Sequence, residues 1–239
     1  MDIASRLRNG LRSIALRTRV EAEATTRAFL CSDVVSFSRL TDEIGDRRTL
    51  ELMRGVARLV RAQSAAHGGR ELEVRGDCFL LAFTSPLEAL CCGVAIHRAL
   101  AADRHAPPRE QIALRSAIHA GCVVRDGERY FGRNLILAFR LLERAGRGEI
   151  LVSSQVKDLV AQHWRGRFSA EHGFQPKGLR EALGFVSVDW LDPATGLRDV
   201  ARRASKGAVA SPRSLREASR IDWTGTRREA GAVSDLAAV

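Results

Sequence analysis

At 239 residues and 45% hydrophobic, the chain is long enough for one well-cored domain with extensions and short for two. Its formal charge of +10 is almost all arginine, with lysine only at Lys157, Lys177 and Lys206; residues 1–27 and 191–239 each carry +3, and the +4 left between them argues against nucleic acid as a partner. Cys31, Cys78, Cys91, Cys92 and Cys122 form no C-x-x-C pair, and no apolar run approaches the roughly 20 residues of a membrane span, so the expectation is a cytoplasmic chain without a disulfide framework or zinc cage.

Over residues 3–20, Ile3, Leu7, Leu11 and Ile14 recur at helical spacing, with Arg6, Arg8, Arg12, Arg17 and Arg19 mostly off that stripe. This predicts an amphipathic basic helix within residues 1–26. Such a helix packs on its own domain or a dimer partner, the favoured reading, or lies on a membrane surface. From residue 27 the pattern changes. Ala28-Phe29-Leu30-Cys31 reads as a buried strand that runs into a tight turn opening a helix. Leu50, Met53, Val56, Ala57 and Val60 mark a helix closed by Gly68-Gly69. Residues 71–75 and 78–83 read as a hairpin around Gly76-Asp77.

A second long helix covers 86–103 and ends before Pro107-Pro108. Ile112–His119 begins a strand, Gly132 precedes a helix over about 134–146, and Glu149–Val152 is a strand. A helix over about 154–163 and a strand over Phe185–Trp190 follow. That order gives an α+β sandwich with a mainly antiparallel sheet, as one domain over 27–195. Residues 196–239 lose periodicity and read as a disordered tail.

Two acids stand where acids are costly. Asp33 closes the apolar run of the first strand, and Asp77 sits at a hairpin turn before Cys78–Phe83. Each alone reads best as a turn cap. Together on neighbouring strands they form a candidate two-metal site, since Mg²⁺ takes one or two protein carboxylates and keeps positions for phosphate oxygens.

The run Phe29-Leu30-Cys31-Ser32-Asp33-Val34-Val35-Ser36-Phe37-Ser38 resembles the first metal motif of the class III adenylate and guanylate cyclases. His67-Gly68-Gly69-Arg70 with Gly76-Asp77-Cys78-Phe79 resembles the second. Tyr130-Phe131-Gly132 with Arg140-Leu141, then Gly148-Glu149-Ile150-Leu151-Val152-Ser153, then Lys177-Gly178, follow in family order over about 27–190. The resemblance implies a ferredoxin-like βαββαβ core and a phosphorus-oxygen lyase. Such an enzyme turns a nucleoside triphosphate into a 3′,5′-cyclic monophosphate and pyrophosphate. It implies two Mg²⁺ or Mn²⁺ held by Asp33, Asp77 and the backbone of Val34, with backbone N–H groups from Val34 to Phe37 open to the β- and γ-phosphates. Val35, Ser36 and Phe37 are thus substrate contacts. Arg140 becomes the transition-state arginine and Lys177 a phosphate ligand. In the family the metal acids come from one subunit and the arginine and lysine from the other, so the expected partner is a second copy.

Three positions depart from that pattern. Glu73 stands four residues before Asp77, where adenylate cyclases carry an adenine-contacting lysine and guanylate cyclases an acid. Arg129, three residues before Gly132, replaces the second base contact, and either meets a base carbonyl or pairs with Glu73. Ile136 stands where the family's transition-state asparagine is expected, and Asn134 lies about 120° from Arg140 around the helix. Two readings follow: a cyclase for guanine or a pyrimidine such as uracil, or a catalytically silent dimerisation or nucleotide-sensing domain. A free-standing cyclase with such base positions also resembles the pyrimidine cyclases of bacterial anti-phage signalling. A ferredoxin-like RNA-binding domain would need stacking aromatics on its strands, which the sequence does not supply.

Overall fold

The computed structural model describes residues 23–102 and 111–196, and the basic helix expected over 3–20 and nearly all of the tail lie outside these. The elements in chain order are β1 (Glu23–Val34), α1 (Phe37–Ile44), α2 (Asp46–Ala66), β2 (Arg70–Arg75), β3 (Cys78–Phe83) and α3 (Pro86–Ala102). There follow β4 (Leu114–Asp126), β5 (Arg129–Phe131), α4 (Arg133–Leu142), β6 (Ile150–Ser153), α5 (Ser154–Val160), β7 (His172–Phe174) and β8 (Leu183–Ser187). The sheet runs β2-β3-β1-β4-β6-β8-β7, with β5 added to β4. Every pairing is antiparallel except β4 with β6. Its first four strands, with α2 and α3, make the βαββαβ arrangement expected from the sequence.

Strand alternation divides the core into two layers. Leu30 and Val34 of β1, Phe79, Leu81 and Phe83 of β3, and Leu114 and Ile118 of β4 pack with Val56 and Val60 of α2, Leu90 of α3 and Val156 of α5. The opposite face carries Phe29, Cys31, Leu80, Ala82 and Ala117 against Ala138 and Leu141 of α4 and Tyr130 of β5. The same alternation turns Asp33 toward this second face, two residues after Cys31.

Several features were hidden from periodicity. Gly45, at φ 79°, breaks what reads as continuous helix into α1 and α2. β4 runs on to Asp126 and turns at Gly127, φ 55°, into three-residue β5, too short to show a period. α4 stops at Leu142 instead of 146, and β8 ends at Ser187 instead of Trp190, with β7 unforeseen beside it.

A buried polar chain crosses the first layer. His97 Nε2 on α3 lies 2.8 Å from Ser116 Oγ on β4, which lies 2.8 Å from Ser32 Oγ on β1. Burial pushes the His97 pKa down to about 4, against a hydrogen bond to the Gly148 backbone that raises it. An unfolded histidine protonates near 6.5, so between pH 6.5 and 4 the unfolded chain holds a proton that the folded chain does not. Stability should therefore hold above about pH 6.5 and fall by up to about 3 kcal/mol as the pH drops toward about 4. Denaturant unfolding across that window checks this, and His97→Gln, whatever its effect at neutrality, should flatten the slope.

Candidate active site

β1 delivers Asp33 and the Gly76-Asp77 turn delivers Asp77. The β1–β3 register sets Asp33 opposite Cys78, next to Asp77, while Gly76 at φ 64° allows the turn. Val34 N–H donates to the Asp77 carbonyl at 3.3 Å and fastens the turn to the end of β1. The Asp77 carboxyl is pushed above its ordinary range, first by burial and then by the charge of Asp33. The same surroundings push the Cys78 thiol up to about 11, burial first and then Asp33 and Asp77.

Asp33 has a second neighbour that the sequence did not announce. Arg115, directly opposite it on β4, donates to Asp33 Oδ2 from Nε at 2.9 Å and Nη2 at 2.5 Å. Arg115 shares the second-layer face of β4 with Ala117, and its partner is set by cross-strand pairing rather than by any local pattern. Asp33, with 15% of its side chain exposed, thus lies between a carboxyl and a guanidinium. Two acids held in contact suit a divalent cation, which would cancel their repulsion. Among the described residues no group of three His, Cys, Asp or Glu surrounds them, so the donor set fits Mg²⁺ or Mn²⁺ with open positions better than an all-protein zinc cage.

The turn after Asp33 differs from expectation in one respect. Val34 N–H is used by Asp77, and Val35 N–H donates to the Ala113 carbonyl at 2.9 Å, so neither is open to a phosphate. The strand continues its backbone pairing for longer than the apolar run suggested. Ser36 then takes a left-handed conformation, φ 60° and ψ 37°, strained for a residue with a Cβ. Leu40 N–H closes the first turn of α1 on the Ser36 carbonyl at 3.0 Å. The N–H groups of Phe37, Ser38 and Arg39 precede it and have no acceptor within the helix. Beside this turn opens a cavity of about 380 Å³, walled by Val34, Val35, Ser36, Arg39, Glu43 and Arg147 among others.

The remaining predicted residues lie apart from the acid pair. Arg140 on α4 pairs with Glu143 at 2.7 Å, and its Nε is buried without a hydrogen-bond partner. Glu73 is held by Arg75 at 2.5 Å and does not pair with Arg129, which is exposed at the start of β5. Lys177 is exposed beside Gly178, at φ 81°. Among the described residues no hydrogen bond or ion pair joins any of these four to Asp33 or Asp77. Ile136 is 48% exposed on α4. Asn134 is fully engaged elsewhere: it donates to the Cys122 carbonyl at 2.8 Å, and its Oδ1 meets His119 Nε2 at 3.0 Å. A Cβ at Gly121 would collide with Asn134, so the glycine makes room for this clamp between α4 and β4.

Replacing Asp77 by Asn removes a like charge beside Asp33 and one oxygen ligand. Asp77→Asn should therefore unfold at an equal or higher temperature than wild type in EDTA, yet lose the rise in Tm that Mn²⁺ gives wild type. Thermal melts with and without Mn²⁺ read both effects, and an undiminished Mn²⁺ shift in the variant overturns the assignment.

No family model matches the chain. In sequence it is 28% identical over 134 residues to a Rhizobium meliloti protein provisionally assigned as adenylate cyclase 3, covering 56% of this chain and 23% of that protein. It is 29% identical over 127 residues to an uncharacterised Mycobacterium tuberculosis protein, covering 52% of this chain and 40% of the other. The chain thus spans well under half the length of these relatives. In structure it is similar to an adenylate/guanylate cyclase/hydrolase from Silicibacter pomeroyi, with TM-score 0.63, 24% identity, and 70% of this chain and 98% of the other covered. The adenylyl cyclase CyaB from P. aeruginosa has TM-score 0.62 and 20% identity, with 70% and 95% covered. The guanylyl cyclase Cya2 has TM-score 0.62 and 20% identity, with 74% and 95% covered. With an eight-stranded sheet and five helices among the described residues, and the two acids brought together at the end of β1, the chain has the fold of the class III adenylyl and guanylyl cyclase catalytic domains.

Proposed function

We propose that this chain is a metal-dependent nucleotidyl cyclase. It would convert a nucleoside triphosphate to a 3′,5′-cyclic monophosphate and pyrophosphate at a site shared by two copies, with guanine or uracil as the base. The observation that carries the reading is the contact of Asp33 with Asp77, since two acids forced together cost stability unless a cation uses them. When bound, two divalent cations would activate the ribose 3′-hydroxyl and balance the charge on the phosphates. The protein's part is to hold and orient. Asp33, Asp77 and the Val34 carbonyl would face the cations, and Ser36 and Phe37 would face the outer phosphates, with Val35 only shaping the wall.

Arg140 supplies a guanidinium for the α-phosphoryl oxygens as charge develops there. Its pair with Glu143 is an i,i+3 helix contact worth only a few tenths of a kcal/mol, so it is readily given up to a phosphate. Since Arg140 and Lys177 touch neither acid in their own chain, a second copy is the natural source of both. Asp33→Ala and Arg140→Ala should each be inactive alone and recover activity when mixed, through the heterodimer that keeps one complete site. A mixture that stays inactive after demonstrated subunit exchange overturns the shared site.

Glu73 accepts and Arg129 donates. Guanine and uracil each present a ring N–H beside a carbonyl, which satisfies both side chains, whereas adenine N1 sets a lone pair against Glu73. An unpaired group there costs about 1–3 kcal/mol. Purified protein given ATP, GTP, CTP and UTP separately with Mn²⁺ should therefore favour GTP or UTP, and Glu73→Lys should narrow the gap to ATP. The highest kcat/KM with ATP would overturn the base assignment.

Exposed Ile136 favours a second reading, a silent domain, because it offers no hydrogen bond where an oriented donor is expected. One such donor is typically worth about 10²–10³ in rate. Ile136→Asn places an amide on a solvent-facing position at little cost in stability. It should raise kcat by at least about tenfold if the wild type is a slow enzyme, and leave a silent domain silent.

A further inference from the structure

At one end the sheet projects beyond its helices. β1 pairs with β3 only from Ala28 onward, so residues 23–27 of β1 are held by β4 alone, and β5 completes a three-stranded ribbon in which Val124 stands opposite both Ala24 and Phe131. Strand alternation puts Ala24 and Thr26 on the face of Ala28, and Cys122 and Val124 on that of Ala120, the layer that α2 and α3 cover farther along. On the ribbon this face is open among the described residues. Ala24, Thr26, Cys122, Val124 (42%) and Phe131 (50%) are all exposed, adjoin one another across the strands, and carry no charge. In a chain with 28% charged residues, an exposed uncharged patch of this kind marks a contact. Asp33 faces the opposite layer, so a second copy docked on the acid pair would leave the patch open.

The occupant is at hand in the same chain. Residues 1–22 lead straight into Glu23, whose cross-strand partner Arg125 is next to Val124. Within them Ile3, Leu7, Leu11 and Ile14 recur at helical spacing, and as a helix that stripe is about 16 Å long. The patch is roughly 10 Å across its three strands, so the stripe can cross it. Residues 15–22 remain between Ile14 and β1, and their reach of up to about 26 Å lets the chain reverse onto the ribbon. Arg6, Arg8 and Arg12 lie off the stripe and would stay in water. We propose that residues 3–14 pack the Ile3, Leu7, Leu11 and Ile14 stripe onto the uncharged patch of their own chain and brace the ribbon from its open side. This contact is independent of the cyclase reading and needs no turnover.

Cys122 reports whether the patch is covered. Cys31 and Cys92 are buried, and burial first of all pushes Cys78 up to about 11 and Cys91 up to about 12, so at about pH 8 Cys122 is the thiol ready to react. The full chain is treated with iodoacetamide and the modification of Cys122 is timed by peptide mass, with unreactive Cys31 and Cys92 showing that the domain stays folded. Cys122 should react at least about tenfold faster in Leu7→Asp/Leu11→Asp than in wild type. Arg12→Glu, an equal change of charge on the far side of the helix, should keep the wild-type rate. Phe131→Asp, which alters the patch instead of the stripe, should also release Cys122. Equal rates for wild type and Leu7→Asp/Leu11→Asp overturn the proposal. Protection that grows with protein concentration assigns the cover to a second copy and overturns it too, as does protection that appears only on adding phosphatidylserine vesicles.

Discussion

Everything of chemical interest in this molecule depends on the enforced closeness of two like charges. Asp33 and Asp77 would separate if free. They are held by the antiparallel register of β1 with β3, by the tight turn at Gly76, and by the backbone bond from Val34 to Asp77. Arg115 offsets part of the repulsion from the other side of β1 without touching the turn. The central strands carry a full apolar layer on each face, so the register cannot slip to relieve the acids without turning Phe29 and Leu30 to the wrong sides. Packing therefore sustains an electrostatic tension that a cation bound between the two acids would release.

The second face of the sheet is organised around α4, and its fixing explains the fate of two polar side chains. Asn134 is occupied by His119 and Cys122, and this clamp sets the rotation of the helix. With that rotation fixed, Ile136 points to solvent and Arg140 is only loosely engaged by Glu143. Asn134 thus serves to position the helix and turns no amide toward the Arg140 face.

Much of the fold was legible because burial imposes period two on the strands and 3.6 on the helices. The hairpin at Gly76, the long helices α2 and α3, and the strands β1, β3 and β6 all show it within a residue or a few. β5 and β7, at three residues each, are shorter than any period can reveal, and β4 continues past its apolar half because β1 pairs with it to Glu23. The closeness of Asp33 and Asp77 was readable only as a possibility of neighbouring strands. Arg115 was not, since its role comes from a cross-strand neighbour 82 residues away. The use of the Val34 and Val35 amides was likewise set by partners distant in sequence, Asp77 and Ala113.

That separation has a consequence for how the chain is made. Asp77 is synthesised 44 residues after Asp33, and Arg115 arrives only 38 residues later still, so the two acids can meet on a nascent β1–β3 pairing before their counter-ion exists. Until β4 docks, the incipient sheet carries an unrelieved repulsion at one end and an uncovered apolar edge along β1. Closing the β1–β4 pairing costs slightly more loop entropy than closing β1 on β3, because the chain between the strands is about twice as long. The insertion of β4 between β1 and the later β6 then both neutralises the acids and links the two halves of the sheet. The last charge to arrive thus coincides with the strand that makes the domain whole.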